Sequence, residues 1–161
     1  MIPDAPPVSS VPVGLFEVDA RTRFRGFSAR AELAMLFIGD TAKLNQALAA
    51  NEPGADLPIA PRSQGGYLEA AYDLLRLLAP STDQSVTLFA RYDYVNTQAS
   101  VAQASIDAGF VPNNAFIRHI LTAGLVYRPI PQIALKGDYR RHELGVGPGF
   151  NEWAAGLGWM F

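Results

Sequence analysis

The chain has 161 residues and 13 Lys and Arg against 15 Asp and Glu; a formal charge of −2 leaves no electrostatic footprint for a polyanion, so nucleic acid is excluded as a partner class. It contains no cysteine, which removes disulfides, thiolate metal sites and cysteine nucleophiles. Apolar runs such as Leu33 to Ile38 and Ala154 to Phe161 fall far short of the ~20 residues that a membrane helix needs, although hydropathy averages are nearly blind to membrane barrels, whose strands are only half apolar.

In chain order, the first stretch is MIPDAPPVSSVP. It has neither a basic start nor an apolar h-region, so it does not read as a signal peptide. Pro6, Pro7 and Pro12 argue against a strand there, and residues 1–12 are expected to be irregular, with the domain proper over 13–161.

From there on, apolar residues recur in twos, the period that puts alternate side chains on opposite faces of a strand. Phe16, Val18 and Ala20 oppose Glu17, Asp19 and Arg21. Phe27, Ala29, Ala31, Leu33, Met35 and Phe37 oppose Ser28, Arg30, Glu32 and Ala34. After a long connection over 39–65, in which Thr41 to Ala50 reads as a helix with Thr41 as N-cap, Leu68, Ala70, Tyr72 and Leu74 oppose Tyr67, Glu69, Ala71 and Asp73.

Past the short APSTDQ, Val86, Leu88, Ala90, Tyr92 and Tyr94 oppose Thr87, Phe89, Arg91 and Asp93. A long linker, Thr97 to Asn114, leads to Leu121, Ala123, Leu125 and Tyr127 opposing Arg118, Thr122 and Arg128. The turn YRPIPQ follows, then Ile133, Leu135, Gly137 and Tyr139 opposing Gln132, Lys136, Asp138 and Arg140. The connection from Arg141 to Asn151 precedes the last segment, in which Trp153, Ala155, Leu157, Trp159 and Phe161 share one face.

Seven such segments, most of about eight to eleven residues, suit a tilted membrane strand better than the soluble strand of roughly five or six. Short and long connections alternate, including a short one placed at Ala20 to Phe24, as in barrels with brief turns on one side and longer loops on the other. The reading is an all-β, antiparallel transmembrane β-barrel, about seven strands of a larger one, with one short helix in a long outer loop.

The ordered blocks GLFEVDARTRFRGFSARAELAML, TAKLNQAL, GYLEAAYDLL, LFARYDYVNTQ, LTAGLVYRPIPQIALKGDYRR and the closing GWMF resemble the C-terminal part of bacterial outer-membrane porins, in the broad group that includes the phosphate-selective porins. LFARYDYVNTQ and GLVYRPIPQIALKGDY carry the resemblance most specifically, and it spans roughly residues 14 to 161. It implies an antiparallel barrel around a water-filled path for small hydrophilic solutes, seated in outer-membrane lipid. It does not imply phosphate selectivity. Trp159 and Phe161 resemble the terminal signal read by the barrel-assembly machinery, the expected assembly partner.

The functional residues expected on this reading face the lumen: Arg30, Glu32, Arg91, Asp93, Arg118, Lys136, Asp138 and Arg140. Rings of charge set ion preference in pores, yet the same residues also pair across strands and hold a wall together. With both signs in similar number, anion or cation preference does not follow, although anionic solutes are included. Tyr94, Tyr127, Tyr139 and Trp153 fall at strand ends, where barrels carry interfacial aromatics.

No enzyme, cofactor or metal site is expected. His119 and His142 are not clustered with other ligands; Asp138 and His142 share a face but stand ~13 Å apart along a strand. The GVGPG stretch lacks the following helix of a phosphate-cradling loop. Homo-oligomerisation stays open. The alternative is a β-barrel with a binding or structural role and no conducting pore; a soluble one binding an apolar ligand would turn its apolar face inward, which parity alone does not decide. Finally, an odd strand count and the absent leader predict that the segment belongs to a longer barrel, because single-chain bacterial barrels have even strand numbers.

Overall fold

The computed structural model of the chain describes residues 10–51, 59–107, 111 and 113–160. Seven antiparallel strands form one sheet in sequence order: β1 (Val13–Phe24), β2 (Phe27–Ile38), β3 (Arg62–Asp73), β4 (Ser85–Ser100), β5 (Ile117–Ile130), β6 (Ile133–Leu144) and β7 (Phe150–Trp159). Each strand pairs with its neighbours in the chain, β1 and β7 do not pair with one another, and the sheet is open. Helix α1 (Thr41–Asn51) follows β2, α2 (Leu75–Leu78) follows β3, and α3 (Gln103–Asp107) with a 3-10 turn over Asn114–Phe116 lies between β4 and β5.

The register turns seven separate alternations into two coherent faces. Val18 stands opposite Leu33, Ala31 opposite Leu68, Tyr72 opposite Leu88, Leu88 opposite Leu125 and Leu135 opposite Leu157. On the other side Arg30 stands opposite Glu69, Glu69 opposite Arg91, and Arg140 opposite Glu152. A slip of one residue in any ladder would carry that strand's apolar set to the charged side. The charged side is concave: residues from β1 through β6 line one hollow of about 770 Å³ there, with Phe89 and Val126 among them.

No apolar layer among the described residues packs against the sheet. Among the described residues Ala60 is the one buried hydrophobic side chain, while Leu68 is 60% exposed, Leu121 56% and Trp153 81%. An apolar surface of this extent marks a contact surface for something apolar.

Several boundaries differ from those read in the sequence. The first connection is not Ala20 to Phe24, which β1 runs through, but the two residues Arg25 and Gly26, at φ 48° and 87°. Two positive φ values in a two-residue hairpin make the turn whose twist matches that of the strands, and Gly26 accepts its value without strain. Leu74 lies beyond β3, β4 extends to Ser100, β5 to Ile130 and β6 to Leu144. Apart from that of β3, which was overestimated by Leu74, these strand ends were underestimated for one reason: hydrogen-bonded ladders continue past the apolar stretch, where alternation stops. Residues 1–9 and Phe161 lie outside the described residues.

Helix α1 begins as expected, but Thr41 is not its N-cap. The Asp40 carbonyl accepts from Leu44 N at 3.1 Å, which makes Asp40 the cap and Thr41 the first helical residue. The connections also contain more helix than the single one expected: α2 lies between β3 and β4, a connection read as short, and α3 in the long one between β4 and β5.

Two of these connections are latched. Asn45 Oδ1 accepts from Ile59 N at 2.8 Å, and its Nδ2 donates to Ile59 O at 3.1 Å and to Ser105 Oγ at 3.3 Å. Thr41, Asn45 and Ser105 are among the most buried side chains described. Asn45→Ala removes the partner of the half-buried Ile59 carbonyl and amide and of the buried Ser105 hydroxyl, at about 1–3 kcal/mol for a buried polar group. The expected result is loop release without sheet loss: limited proteolysis cuts between residues 40 and 61 faster, while strand protection in hydrogen exchange stays the same. Equal cutting rates would remove the latch.

Candidate functional site

Arg30, Glu32, Arg91, Asp93, Arg118, Lys136, Asp138 and Arg140 all fall on the concave face, as their register partners require. The ladders also sort them by height, which the sequence order hides. Arg21, Arg30, Arg91 and Arg140 share one cross-sheet row, interrupted by Glu69, Thr122 and Glu152. Asp19, Glu32 and Asp93 share the next row toward the loops, with Tyr67 between the last two. A basic tier therefore lies directly beneath an acidic one.

Neighbouring tiers are tied along the strands. Arg91 grips Asp93 through Nε at 2.8 and 3.0 Å and through Nη2 at 2.6 Å, and its guanidinium lies 3.7 Å from the Tyr67 ring centre. Fork geometry and a flat aromatic partner both favour arginine over lysine here. On β1, Arg21 and Asp19 make a looser, exposed contact of 3.4 Å.

Among the described residues the most enclosed charge is Asp138, with a side chain only 2% exposed. Lys136 Nζ stands 3.0 Å from Oδ2 and Arg140 Nε 2.8 Å from Oδ1. The second contact is an ion pair without hydrogen-bond geometry, since Oδ1 has no aligned donor. The chain of charge continues from Arg140 to Glu152 at 3.5 Å and from Glu152 to His142 Nε2 at 3.1 Å, with His142 stacked 4.2 Å from Phe150. Lys136 and Arg140 thus tie to Asp138 along β6, while Arg140 and His142 reach Glu152 across the β6–β7 seam, the pairing role weighed against solute contact.

The turn-side half of the concave face is different. Arg23, Arg25, Arg30, Arg76 and Arg128 border the hollow, and none has an ion-pair partner among the described residues. Glu69 and Asp73 are the acids there, and Asp73 Oδ1 is occupied by the backbone N–H groups of Leu75 and Val86. Arg23, Arg25 and Arg76 were not singled out in the sequence: the first two sit at a misplaced turn and the third on an unforeseen helix. Toward the loops of β1 and β2 the concave face becomes apolar, with Val13 opposite Ile38 and Leu15 opposite Leu36.

The convex face carries an apolar band bordered by aromatic and polar side chains. Tyr94 and Tyr92 flank His119, which meets the Tyr92 hydroxyl at 2.6 Å. Tyr139 and Trp153 pack at 4.8 Å between ring centres. Tyr127 bonds Gln84 near the turns, and Trp159, 72% exposed, marks the turn-side border on β7.

The band crosses the strands obliquely. Its loop-side limit is Phe37 on β2, but Tyr139 and Trp153 on β6 and β7; these two share a row with Ala29, eight positions before Phe37. Its turn-side limit is Phe27 on β2 but Trp159 on β7, four positions beyond Ala155, which shares the Phe27 row. Both limits drift the same way, the turn-side one by about one residue per strand and the loop-side one by about two. With a rise of about 3.3 Å and strands about 4.8 Å apart, a level band demands a strand tilt of roughly 30–55°.

Among the described residues no group of His, Asp and Glu is arranged to hold a metal ion. No family model matches the chain and no solved structure does. It is 33% identical over 100 residues to an uncharacterized protein of Aquifex aeolicus (strain VF5), a stretch covering 62% of this chain and 21% of that protein. The chain thus matches about a fifth of the length of this curated relative.

Proposed function

We propose that this sheet is part of the wall of an outer-membrane β-barrel through which small hydrophilic solutes diffuse passively, anions being favoured at the turn-side mouth. The oblique apolar band carries the reading. Its inferred tilt of roughly 30–55° spans the ≈ 35–45° of membrane barrels, and on β4 it runs from Val86 to Tyr94, about 27 Å along the strand. The resemblance to outer-membrane porins supports the same reading. A barrel for an apolar ligand needs the opposite curvature, with its apolar face concave. The five arginines bordering the hollow, which have no ion-pair partner among the described residues, supply a positive field that raises the local anion concentration. The assembly machinery would meet the chain at Trp159 and Phe161.

The test exploits the absence of native cysteine, which makes any introduced thiol unique. Single cysteines at Leu88, Ala123 and Ala155 on the convex face, and at Thr87 and Ser28 on the concave face, are labelled with an environment-sensitive fluorophore after refolding into vesicles. Nitroxide-bearing lipids are expected to quench the first group, and aqueous iodide the second. Quenching of both groups by iodide alone, or a chain that stays soluble without detergent, would overturn the membrane reading.

A further inference from the structure

The hollow on the concave face is not uniformly polar. One cross-sheet row through it runs Arg23, Ser28, Ala71, Phe89, Gly124 and Asp138 from β1 to β6. Phe89 brings an apolar ring to that row and lies across Gly124, where an added Cβ would meet its Cζ at 2.6 Å. Between the ring and Arg23 the row holds only Ser28 and Ala71, two small side chains that line the hollow, so the wall dips there. One tier toward the turns, Val126 adds a second apolar side chain to the lining.

Positive charge surrounds the dip. Arg23 closes the row about 14 Å from Phe89 between Cα positions, and Arg30 stands two strands away and one tier toward the loops, at about 12 Å. Arg76 leans on the β1–β2 hairpin, its Cγ 3.1 Å from where a Cβ of Gly26 would stand. None of these three has an ion-pair partner among the described residues, and only Glu69 and Asp73 bring negative charge to the lining. Lys136 is tied to Asp138 at 3.0 Å and stands 5.0 Å from the Phe89 ring centre. Like charges gathered in this way repel, and an anion seated among them relieves the repulsion.

A hydrated inorganic ion gains nothing from the ring, and a neutral apolar solute gains nothing from the arginines. A flat ring bearing a carboxylate uses both. Its ring pairs with Phe89 in an offset or edge-to-face arrangement, and its planar carboxylate matches the fork of a guanidinium. We infer that the dip between Phe89 and the β1–β2 hairpin is a binding site for an aromatic carboxylate, its ring against Phe89 and Ala71 and its carboxylate held by Arg23, Arg30 and Arg76. The inference rests on the proposed function for its role, capture of a solute at the pore wall, while binding itself requires only the concave hollow.

Labelled benzoate, acetate, benzyl alcohol and inorganic phosphate test the site by equilibrium dialysis against the full chain refolded in a zwitterionic detergent, with uptake by protein-free micelles subtracted. Benzoate is expected to bind about two- to tenfold more tightly than acetate, the scale of one aromatic pair, and more tightly than phosphate or benzyl alcohol. Arg76→Gln weakens benzoate and acetate by the same factor. Phe89→Leu removes the advantage of benzoate and leaves acetate unchanged, whereas Phe89→Tyr keeps that advantage. Benzoate held no more tightly than acetate, phosphate or benzyl alcohol on the native chain would overturn the site, whatever the variants do. A benzoate advantage that survives Phe89→Leu, or benzoate binding indifferent to Arg76→Gln, would overturn it too. Failure of the membrane reading looks different: the chain is soluble without detergent, and the same dialysis in plain buffer still decides the site.

Discussion

Leu88→Arg is expected to destabilise the membrane-inserted sheet by about 2–4 kcal/mol, the cost of an arginine on the lipid face near mid-depth. Leu88 lies in the band between Val86 and Tyr94, beside Tyr72 and Leu125 on the neighbouring strands, and is 44% exposed. Its exposed surface has no polar partner to offer a guanidinium. Thr87, one position away, points into the hollow beside Asp73 and Val126. Thr87→Arg adds a sixth arginine to a wet, concave site and is expected to fold within about 0.5 kcal/mol of the native chain, as surface substitutions do. Urea unfolding from lipid vesicles measures both. Equal losses would mean that the two faces are not lipid and water.

Gly124→Ala should cost about 1–3 kcal/mol, the usual range for overpacking. A Cβ at Gly124 would stand 2.6 Å from the Gly137 carbonyl oxygen, 2.6 Å from Phe89 Cζ and 2.7 Å from Asp138 Cβ. Phe89 is the register partner of Gly124, so the ring lies across a position that has no side chain. Two of the three obstacles belong to β6, and removing the ring therefore recovers only part of the loss in the double variant with Phe89→Ala. Gly156→Ala is the control: nothing stands within 4 Å of its added Cβ, and its stability should hold or rise. Unfolding curves in which Gly124→Ala and Gly156→Ala coincide would show that β5 and β6 have slack there.

Much of this architecture was legible before any coordinates. The period-two pattern from Phe27 to Phe37, or from Trp153 to Trp159, specifies a strand with one apolar face because pleating leaves no other way to segregate those side chains. Seven segments and their faces follow from that rule alone, while the helix starting near Thr41 was read from its own helix-start signal. The ends did not follow. Arg23 and Phe24 extend β1 because Arg25 and Gly26 make the hairpin, and a polar stretch such as ARTRF looks equally like a turn when no ladder partner is in view.

Parity also placed Arg30, Arg91, Asp93, Lys136 and Asp138 on one side, since that is a local property of each strand. What local pattern does not contain is the stagger between strands. Only the register aligned Arg21, Arg30, Arg91 and Arg140 in one tier and Asp19, Glu32 and Asp93 in the next, and only register made the apolar band oblique. Curvature likewise belongs to the sheet as a whole, and it gathered Arg23, Arg25, Arg76 and Arg128, distant in the chain, around a single hollow. The sequence by itself determined which side chains share a face, because alternation is set by the pleat of each strand; the tertiary structure decided which of them share a height and which face is concave, because those depend on hydrogen-bond registers between strands far apart in the chain.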